Sequence, residues 1–394
     1  MDFELTQEQK MLADSAASFA KKTSPVERLR KLRTMPEVHG IEQRHPANAD
    51  PRNWEPAVWK QMAELGWLGL FFPEEVGGLG LRFFDASLVI EKLGNTLVPE
   101  PYVASVVLGG WTLLKAGSAE QHAKYLTPMI EGETSLALAW QERSSRYDVA
   151  NVKTVAKKSG DGYALTGEKV FVLNGHAADH VIVSARTEDG SLALFMLDPK
   201  AEGVEVTSIT TMDSNRAAQI ALDGAKVPAS ARLAGGDAAA VLEWSLDMAA
   251  AAACAEGLGI ARAVLEMTSD YLKTRKQFGV PIGTFQVLQH RCVDMFVQTQ
   301  LLESTSILAC ARADEEDADE RRRAVSIAKV RLTAGGKLVT QQSVQLHGGI
   351  GITDEHDIGL YFKRMQVLCT LFGDDEHHLA RFASRKAFAT TVGE

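Results

Sequence analysis

A cluster of acids and histidines near the end of the chain is the first place where the sequence could do chemistry. The segment TLFGDDEHHL, residues 370–379, holds three carboxylates and two imidazoles directly after a glycine. Such groups are metal ligands and acid–base catalysts near neutral pH. Adjacent His377 and His378 diverge on a helix, so they are a poor chelating pair. The aspartates fit a helix start, where Asp374 and Asp375 would cap the first turn and complement its dipole.

Composition places the chain among ordinary globular proteins. With 394 residues it is too long for one hydrophobic core, and 45% apolar and 24% charged residues are typical values. The net charge of −9 argues against a nucleic-acid or anionic-membrane surface. We expect neither a secretory signal nor a membrane span, because no apolar run approaches roughly 20 residues. Four scattered cysteines, without a CxxC pair, favour buried thiols in a reducing compartment, so we predict a cytoplasmic protein.

The elements that must position these side chains follow a helix, strand, helix order. Apolar residues recur at helical spacing through the first third, starting after Thr6, a plausible N-cap. From about Thr134 to Arg232 the period becomes two, with turn residues between runs, which predicts a small antiparallel sheet. Long alanine-rich helices follow. We therefore predict a helical domain at 1–130, a β domain at 131–235 and a helical bundle at 236–394.

Four ordered motifs resemble one family over nearly the whole chain. They are FELTQEQKML, LGWLGLFFPEEVGGLG, RKQFGVPIGTFQVLQHRCVDM at 275–295 and QLHGGIGITDEHDIGLYFKR at 345–364. No GxGxxG follows a strand, so a doubly wound nucleotide fold is not expected. The set resembles the FAD-dependent acyl-CoA dehydrogenases. The resemblance implies a mostly α fold with a central β domain: an α-helical domain, a β-barrel-like middle domain and a four-helix bundle.

The resemblance also implies where FAD binds. It places the cofactor between the middle and C-terminal domains, reaching into a neighbouring subunit. Arginine offers a planar fork of donors for a pyrophosphate, and glycines let backbone N–H groups approach it closely. Phenylalanine and glutamine side chains would pack and hydrogen-bond around the same half of the cofactor. The residues carried over for that half are Arg275, Phe278, Gln286, Gln345, Gly348 and Gly349.

A narrower resemblance concerns the flavin ring. WQERSSRYDVANV and KVFVLNG depart from the usual family loops, and with CAEGLG, YFKR and FGDDEHH they resemble small subunits of two-component enzymes. Such subunits pair with a larger homologous chain and act on bulky or dicarboxylic acyl-CoAs, including pimeloyl-CoA and degraded steroid side chains. Phe171 takes the position of the ring-stacking tryptophan. Leu173 and Gln141 replace two hydroxyl residues, and Leu173 cannot donate a hydrogen bond to the flavin.

The catalytic base of the family is missing from both of its usual positions. Removal of the α-proton needs a carboxylate on the substrate face opposite the flavin. Phe372 occupies the usual glutamate position before Gly373, and Ala249 occupies the minority position on the first long C-terminal helix. The remaining candidates are Glu256, Asp247 and Asp374, of which Asp374 takes the place of a flavin-contacting threonine. Glu256 lies seven residues beyond Ala249, roughly 10 Å along a helix, and a structural ion pair with an arginine is its alternative role.

Three functions therefore remain open. The first is one subunit of a heteromeric dehydrogenase whose homologous partner carries the base. The second is a self-sufficient dehydrogenase with a displaced acid, and the third is a non-catalytic scaffold that completes a partner's FAD site. The resemblance implies a tetramer or dimer, an acyl-CoA substrate and an electron-transfer flavoprotein as acceptor. The acyl group is not readable from the sequence.

Overall fold

The computed structural model describes residues 4–33 and 52–384, and the predicted loop at 33–56 lies mostly outside them. Contacts divide the chain into two compact units that cut across the predicted first domain. One unit comprises the chain up to Leu29, Arg82–Val98 and the chain from Ala250 onward. The other comprises Arg30–Leu81 and Pro99–Ala249.

The helical unit is built from long helices around an alanine-rich core. Its bounds are α1 Gln7–Thr23, α2 Val26–Leu32, α4 Phe83–Gly94, α8 Ala238–Thr274, α9 Gln286–Arg312, α10 Ala318–Arg331, α11 Lys337–His347, α12 Ile358–Thr370 and α13 Asp375–Ala383, with a hairpin of β8 Lys276–Gln277 and β9 Val280–Pro281. Within this unit α4 and α8 touch backbone to backbone. A Cβ on Gly259 would lie 2.0 Å from the carbonyl oxygen of Glu91, so only glycine fits there.

The second unit combines short helices with a curled sheet. Its helices are α3 Pro56–Glu64, α5 Trp111–Ala116, α6 Ala119–Gln121 and α7 Thr127–Ile130, with π-helical turns at Tyr102–Gly110 and His122–Leu126. Its strands are β1 Leu136–Ala139, β2 Val155–Ser159, β3 Gly162–Leu173, β4 His180–Thr187, β5 Leu192–Leu197, β6 Val204–Thr210 and β7 Arg216–Pro228. Helices with a central curled sheet confirm the predicted fold class.

Two details differ from the prediction. The sheet order is β1-β4-β2-β3-β7-β6, with β5 on the other side of β4, and the β1–β4 and β2–β4 pairs are parallel. The sheet is therefore mixed. Strands β1 and β2 pair with the same edge of β4, and a long stretch of chain separates each of them from β4. The apolar pattern at 57–72 predicts one continuous helix, but the helix in this stretch, α3, ends at Glu64. Gly66 then adopts a left-handed φ of +76° before a short 3-10 turn.

The expectation that no apolar run approaches the length of a membrane span also needs correction. By length and composition α8 contains an 18-residue stretch that could cross a membrane. Within the protein 83% of that stretch is buried, so α8 is the core helix of a packed protein. The four cysteines are free thiols; Cys254, Cys310 and Cys369 are buried and Cys292 is half-buried.

A buried ion pair holds the segment after β1 onto the sheet. Lys169 Nζ on β3 donates to Glu142 Oε1 at 2.7 Å and to the Ser184 hydroxyl at 2.9 Å. Glu142 also accepts from the amides of Lys153 and Thr154. Burial lowers the pKa of Lys169 to about 8, against the opposing pull of Glu142, so the amine is still charged at pH 7.

The contributions of Lys169 and Glu142 to the free energy of unfolding should be coupled. Lys169→Met leaves the Glu142 carboxylate buried beside apolar atoms, and we expect it to lower the free energy of unfolding by about 3–5 kcal/mol. The double variant Lys169→Met, Glu142→Gln should be less destabilised than the sum of the single variants. Equilibrium urea denaturation of all four proteins measures this, and additive losses would contradict a coupled pair.

Candidate active site

The side chains predicted for the adenosine diphosphate half of FAD come together in the helical unit. The Tyr271 ring stacks on the His347 ring with centroids 4.5 Å apart and planes at 26°. This contact joins the end of α8 to the end of α11. Arg275 follows Tyr271 by one helical turn, and Gly348 directly follows His347. Arg291 on α9 also donates to the Gln342 amide oxygen on α11 at 3.3 Å, which brings the start of α9 to the same place.

These residues have unused hydrogen-bond donors that suit a large anionic ligand. The side chains of Arg275, Gln286 and Gln345 are exposed and form no hydrogen bonds with other residues in the described ranges. Gly348 has a φ of +63°, and a Cβ there would meet no atom within 4 Å. The backbone at this turn is therefore open to a close approach by a phosphate. The residues present fit an FAD diphosphate.

Phe278 lies at the tip of the hairpin that links α8 to α9. Its side chain is 91% exposed, and its φ is +53°, a left-handed conformation that is costly for a residue with a Cβ. Its ring meets the Phe285 ring edge to face at 6.0 Å. An exposed aromatic ring on a strained two-residue turn is typical of a binding surface.

The three residues predicted for the flavin ring meet in the sheet unit. Strand β3 carries one extra residue relative to β7 between Lys169 and Val172, a β-bulge, and Phe171 lies in it with a φ of +54°. The Val170 amide donates to the Gln141 carbonyl at 2.9 Å, so the Gln141 backbone lies beside the bulge. Leu173 follows Phe171 by two residues on β3, beyond the bulge. The bulge thus aims Phe171 away from the regular strand.

The position of the usual base lies in a tight turn between α12 and α13. Phe372 is buried, with 9% of its surface exposed and a φ of +60°. Gly373 follows with a φ of +115°, and a Cβ there would lie 2.5 Å from His378 Nε2. Among Leu371, Phe372 and Gly373 no side chain can accept a proton, so the turn brings no base of its own.

A buried lysine and a buried histidine hold this turn. Lys329 on α10 is fully buried, and its Nζ donates to the carbonyls of Leu368 at 2.6 Å and Leu371 at 2.8 Å. His378 Nε2 lies 3.1 Å from the Phe372 carbonyl, and its Nδ1 lies 3.3 Å from the Ser326 hydroxyl. Since a carbonyl only accepts, Nε2 carries the hydrogen. Burial and the charge of Lys329 lower the pKa of His378 well below its usual value, so this imidazole is neutral.

The acid cluster at 374–378 is structural in most of its members. Asp374 is the N-cap of α13, and its Oδ1 accepts from the His377 amide at 2.9 Å. Asp375 and Glu376 lie in the first turn, where they complement the helix dipole. The two histidine rings stand at 83° with centroids 5.1 Å apart, and His378 holds the turn described above. The helix-start interpretation of this segment is confirmed for Asp374.

Two of the three candidate displaced bases, Glu256 and Asp247, lie on α8. Glu256 is engaged by Arg364 on α12, whose Nε donates to Oε1 at 2.5 Å and whose Nη2 donates to Oε2 at 2.9 Å. A carboxylate gripped by a bidentate guanidinium has little lone-pair capacity left for a substrate proton. Asp247 is 2% exposed, and Ala249 is fully buried. The geometry favours the ion-pair alternative for Glu256 and leaves its role as a base a prediction.

Sequence reasoning missed Lys329 and the positive φ of Phe171, Phe278 and Phe372, although it named these three phenylalanines. The sequence signal for Lys329 is mixed, because on its helical face Val325 and Leu332 are apolar whereas Ser326 and Thr333 are polar. A lysine on such a face is either snorkelling or buried with partners. Backbone conformation at Phe171, Phe278 and Phe372 has no comparable sequence signal, since these are residues that rarely adopt positive φ.

Comparison with known proteins places the chain within one family. Three parts of the chain match the N-terminal (residues 6–133), middle (137–225) and C-terminal (238–387) domains of acyl-CoA dehydrogenase. The chain is 32% identical over 331 residues to acyl-CoA dehydrogenase IpdE2 of Mycolicibacterium smegmatis, a match that covers 83% of this chain and 87% of that protein.

Solved structures agree with the sequence matches. Butyryl-CoA dehydrogenase from Megasphaera elsdenii is similar with a TM-score of 0.86 and 26% identity, covering 97% of this chain and 99% of that one. A chain of the ChsE4–ChsE5 complex from Mycobacterium tuberculosis is similar with a TM-score of 0.85 and 28% identity, covering 98% and 99%. This chain belongs to the acyl-CoA dehydrogenase family, and it is an oxidoreductase that acts on acyl-CoA with FAD as its cofactor.

Proposed function

We propose that this chain oxidises the α,β bond of an acyl-CoA to the trans-2-enoyl-CoA as one subunit of a heteromer whose homologous partner supplies the base. The observation that carries this proposal is Phe372. The turn that presents the base in most relatives is built here with a buried lysine and histidine, yet it presents an aromatic ring. A second observation supports it, since Glu256 is already engaged by Arg364.

An exposed apolar stripe on α9 supports a partner subunit. Val293, Phe296, Val297 and Leu301 lie on one face of this helix and are between 41% and 58% exposed. Their spacing of three and four residues aligns them into a continuous strip. Contiguous apolar surface of this kind is typical of a protein–protein interface. The helix begins at Gln286, so a partner docked along it would also approach the proposed FAD diphosphate residues.

The chain's own residues would bind and orient FAD at two places. Arg275 would pair with the diphosphate, and the open backbone at Gly348 and Gly349 would donate to it. Phe171, on its bulge, would pack against the isoalloxazine ring. When bound, FAD accepts the hydride that leaves Cβ of the substrate. The α-proton leaves to a carboxylate, which in this proposal the partner subunit provides.

The proposed substrates are bulky or dicarboxylic acyl-CoAs, and the proposed electron acceptor is an electron-transfer flavoprotein. The substrate class rests on the departures in WQERSSRYDVANV and KVFVLNG and on similarity to the ChsE4–ChsE5 complex. The proposed assembly is a tetramer in the cytoplasm.

Two alternatives remain as proposals. A self-sufficient dehydrogenase would have to use Asp247, Asp374 or Glu256 as its base, and the latter two already accept hydrogen bonds from the protein. A catalytically silent scaffold would complete the FAD site of a partner without redox chemistry of its own. Among the described residues, the open Gly348–Gly349 turn and the unbonded Arg275 fit FAD binding by either a catalytic subunit or a scaffold.

Co-expression with candidate large homologous subunits tests the proposal. We expect the purified complex to be yellow and its flavin absorbance to bleach on anaerobic titration with a bulky acyl-CoA, while the chain alone reduces poorly. Butyryl-CoA serves as the short-chain comparison. Bleaching of equal rate and extent by the chain alone would contradict the heteromer, and a complex that never bleaches with any acyl-CoA would favour the scaffold.

A glutamate placed at position 372 should restore proton abstraction to this chain. Phe372→Glu puts a carboxylate on the turn held by Lys329 and His378, and burial raises its pKa toward the working pH. We expect the rate of anaerobic flavin reduction by acyl-CoA to rise by about 10²-fold or more over the matched Phe372→Gln protein, in the assembly that retains FAD. Equal rates for the two variants would mean that this turn does not face the substrate.

A further inference from the structure

Three rings in contact, called the stack below although only the Tyr271–His347 pair is near parallel, underlie the glycine turn at the end of α11. His347 is 2% exposed and lies between the Tyr271 ring, at 4.5 Å, and the His356 ring, also at 4.5 Å. His356 Nδ1 in turn accepts from the Ile358 amide at 3.1 Å, at the first residue of α12. The stack therefore ties together the two ends of the segment 348–357, which begins with Gly348 and Gly349.

The tautomer of His347 follows from its partners. Nδ1 lies 2.8 Å from the Ser343 carbonyl, which only accepts, so Nδ1 carries the hydrogen. Nε2 is buried and has no hydrogen-bond partner in the parts of the chain that the structure describes. Protonation would create a second N–H with nothing to bond and a positive charge against the neighbouring imidazole. The closed stack thus accommodates only the neutral ring.

We propose that His347 is a positioning residue for FAD, which holds the Gly348–Gly349 turn closed while neutral and lets the segment 348–357 open when it takes up a proton. The link to FAD rests on the function proposed above, whereas the opening itself does not. Closure sets the backbone that would receive the diphosphate. Opening would remove that surface without unfolding the bundle.

The direction of the pH dependence follows from linkage. Burial, reinforced by His356 and opposed by the bond to Ser343, lowers the pKa of His347. The open segment, with an ordinary histidine near pH 6.5, binds the proton more tightly than the closed one. Closure is therefore fully stable above pH 6.5 and weakens as the pH falls. For one histidine the opening equilibrium should rise by at most about tenfold between pH 7.5 and pH 5.5.

Other ionisable groups near the stack will tune this response. The groups concerned are Tyr271 and Arg275 on α8, Arg291 on α9, and Asp354, Glu355 and Asp357 in the segment before α12.

Hydrogen exchange of the apoprotein, corrected for intrinsic rates, tests the proposal directly. In peptides covering 348–357 we expect opening to rise severalfold, by at most about tenfold, from pH 7.5 to pH 5.5 in the wild type. His347→Phe keeps a ring in the stack but cannot titrate, and His347→Gln serves if that variant fails to fold. Both should show a clearly smaller response than the wild type. An unchanged response in either variant, or a flat response in the wild type, overturns the proposal.

A matched control and an FAD arm separate this inference from the proposed function. His180 in the sheet unit also meets a tyrosine ring, Tyr125 at 4.9 Å, so His180→Phe should leave the response at 348–357 intact. Loss of the response in that variant contradicts a local device. In the wild type, saturating FAD should suppress the opening at pH 5.5. If the pH response is present but FAD does not suppress it, the link between His347 and FAD is wrong while the opening stands.

Discussion

The turn between α12 and α13 is the constraint on which this account depends. A non-glycine residue with positive φ persists only where its surroundings over-determine it. Here three backbone carbonyls, of Leu368, Leu371 and Phe372, are held by a fully buried lysine amine and a neutral imidazole. Burial lowers the pKa of Lys329, because a buried charge is unfavourable unless hydrogen bonds engage it fully. These bonds hold the turn at the position of the usual base, and the side chain at that position is the apolar ring of Phe372.

The same argument applies to the other two phenylalanines with a positive φ. Phe171 lies in a β-bulge and Phe278 at a hairpin tip, and both have left-handed φ values. Each belongs to a group of residues assigned to FAD by family resemblance. Strain therefore coincides with the proposed site at three separate places in the chain. The buried Lys169–Glu142 pair stabilises β3, the strand that carries Phe171.

Much of the fold could be predicted from sequence, because it rests on local signals. The N-cap at Thr6 was visible, although Gln9 rather than an acid completes its capping box. Period-two runs located the sheet domain, and motif order predicts both groups of FAD residues. What periodicity cannot encode is pairing direction, which made β1 and β2 parallel to β4 against expectation. Nor can periodicity show that Lys329 is buried or that Arg364 pairs with Glu256. The residues that Lys329 and Arg364 contact lie more than 35 residues away in sequence.

The central claim is that this chain builds its share of a flavin pocket for thioester oxidation without bringing a proton acceptor. Exchange of the substrate α-hydrogens in deuterium oxide, followed by mass spectrometry of the acyl-CoA, reads the acceptor without requiring net oxidation. The account predicts no catalysed deuterium incorporation by the chain alone and clear incorporation by its complex with a glutamate-bearing homologue. Incorporation by the chain alone at the rate of the complex would contradict it.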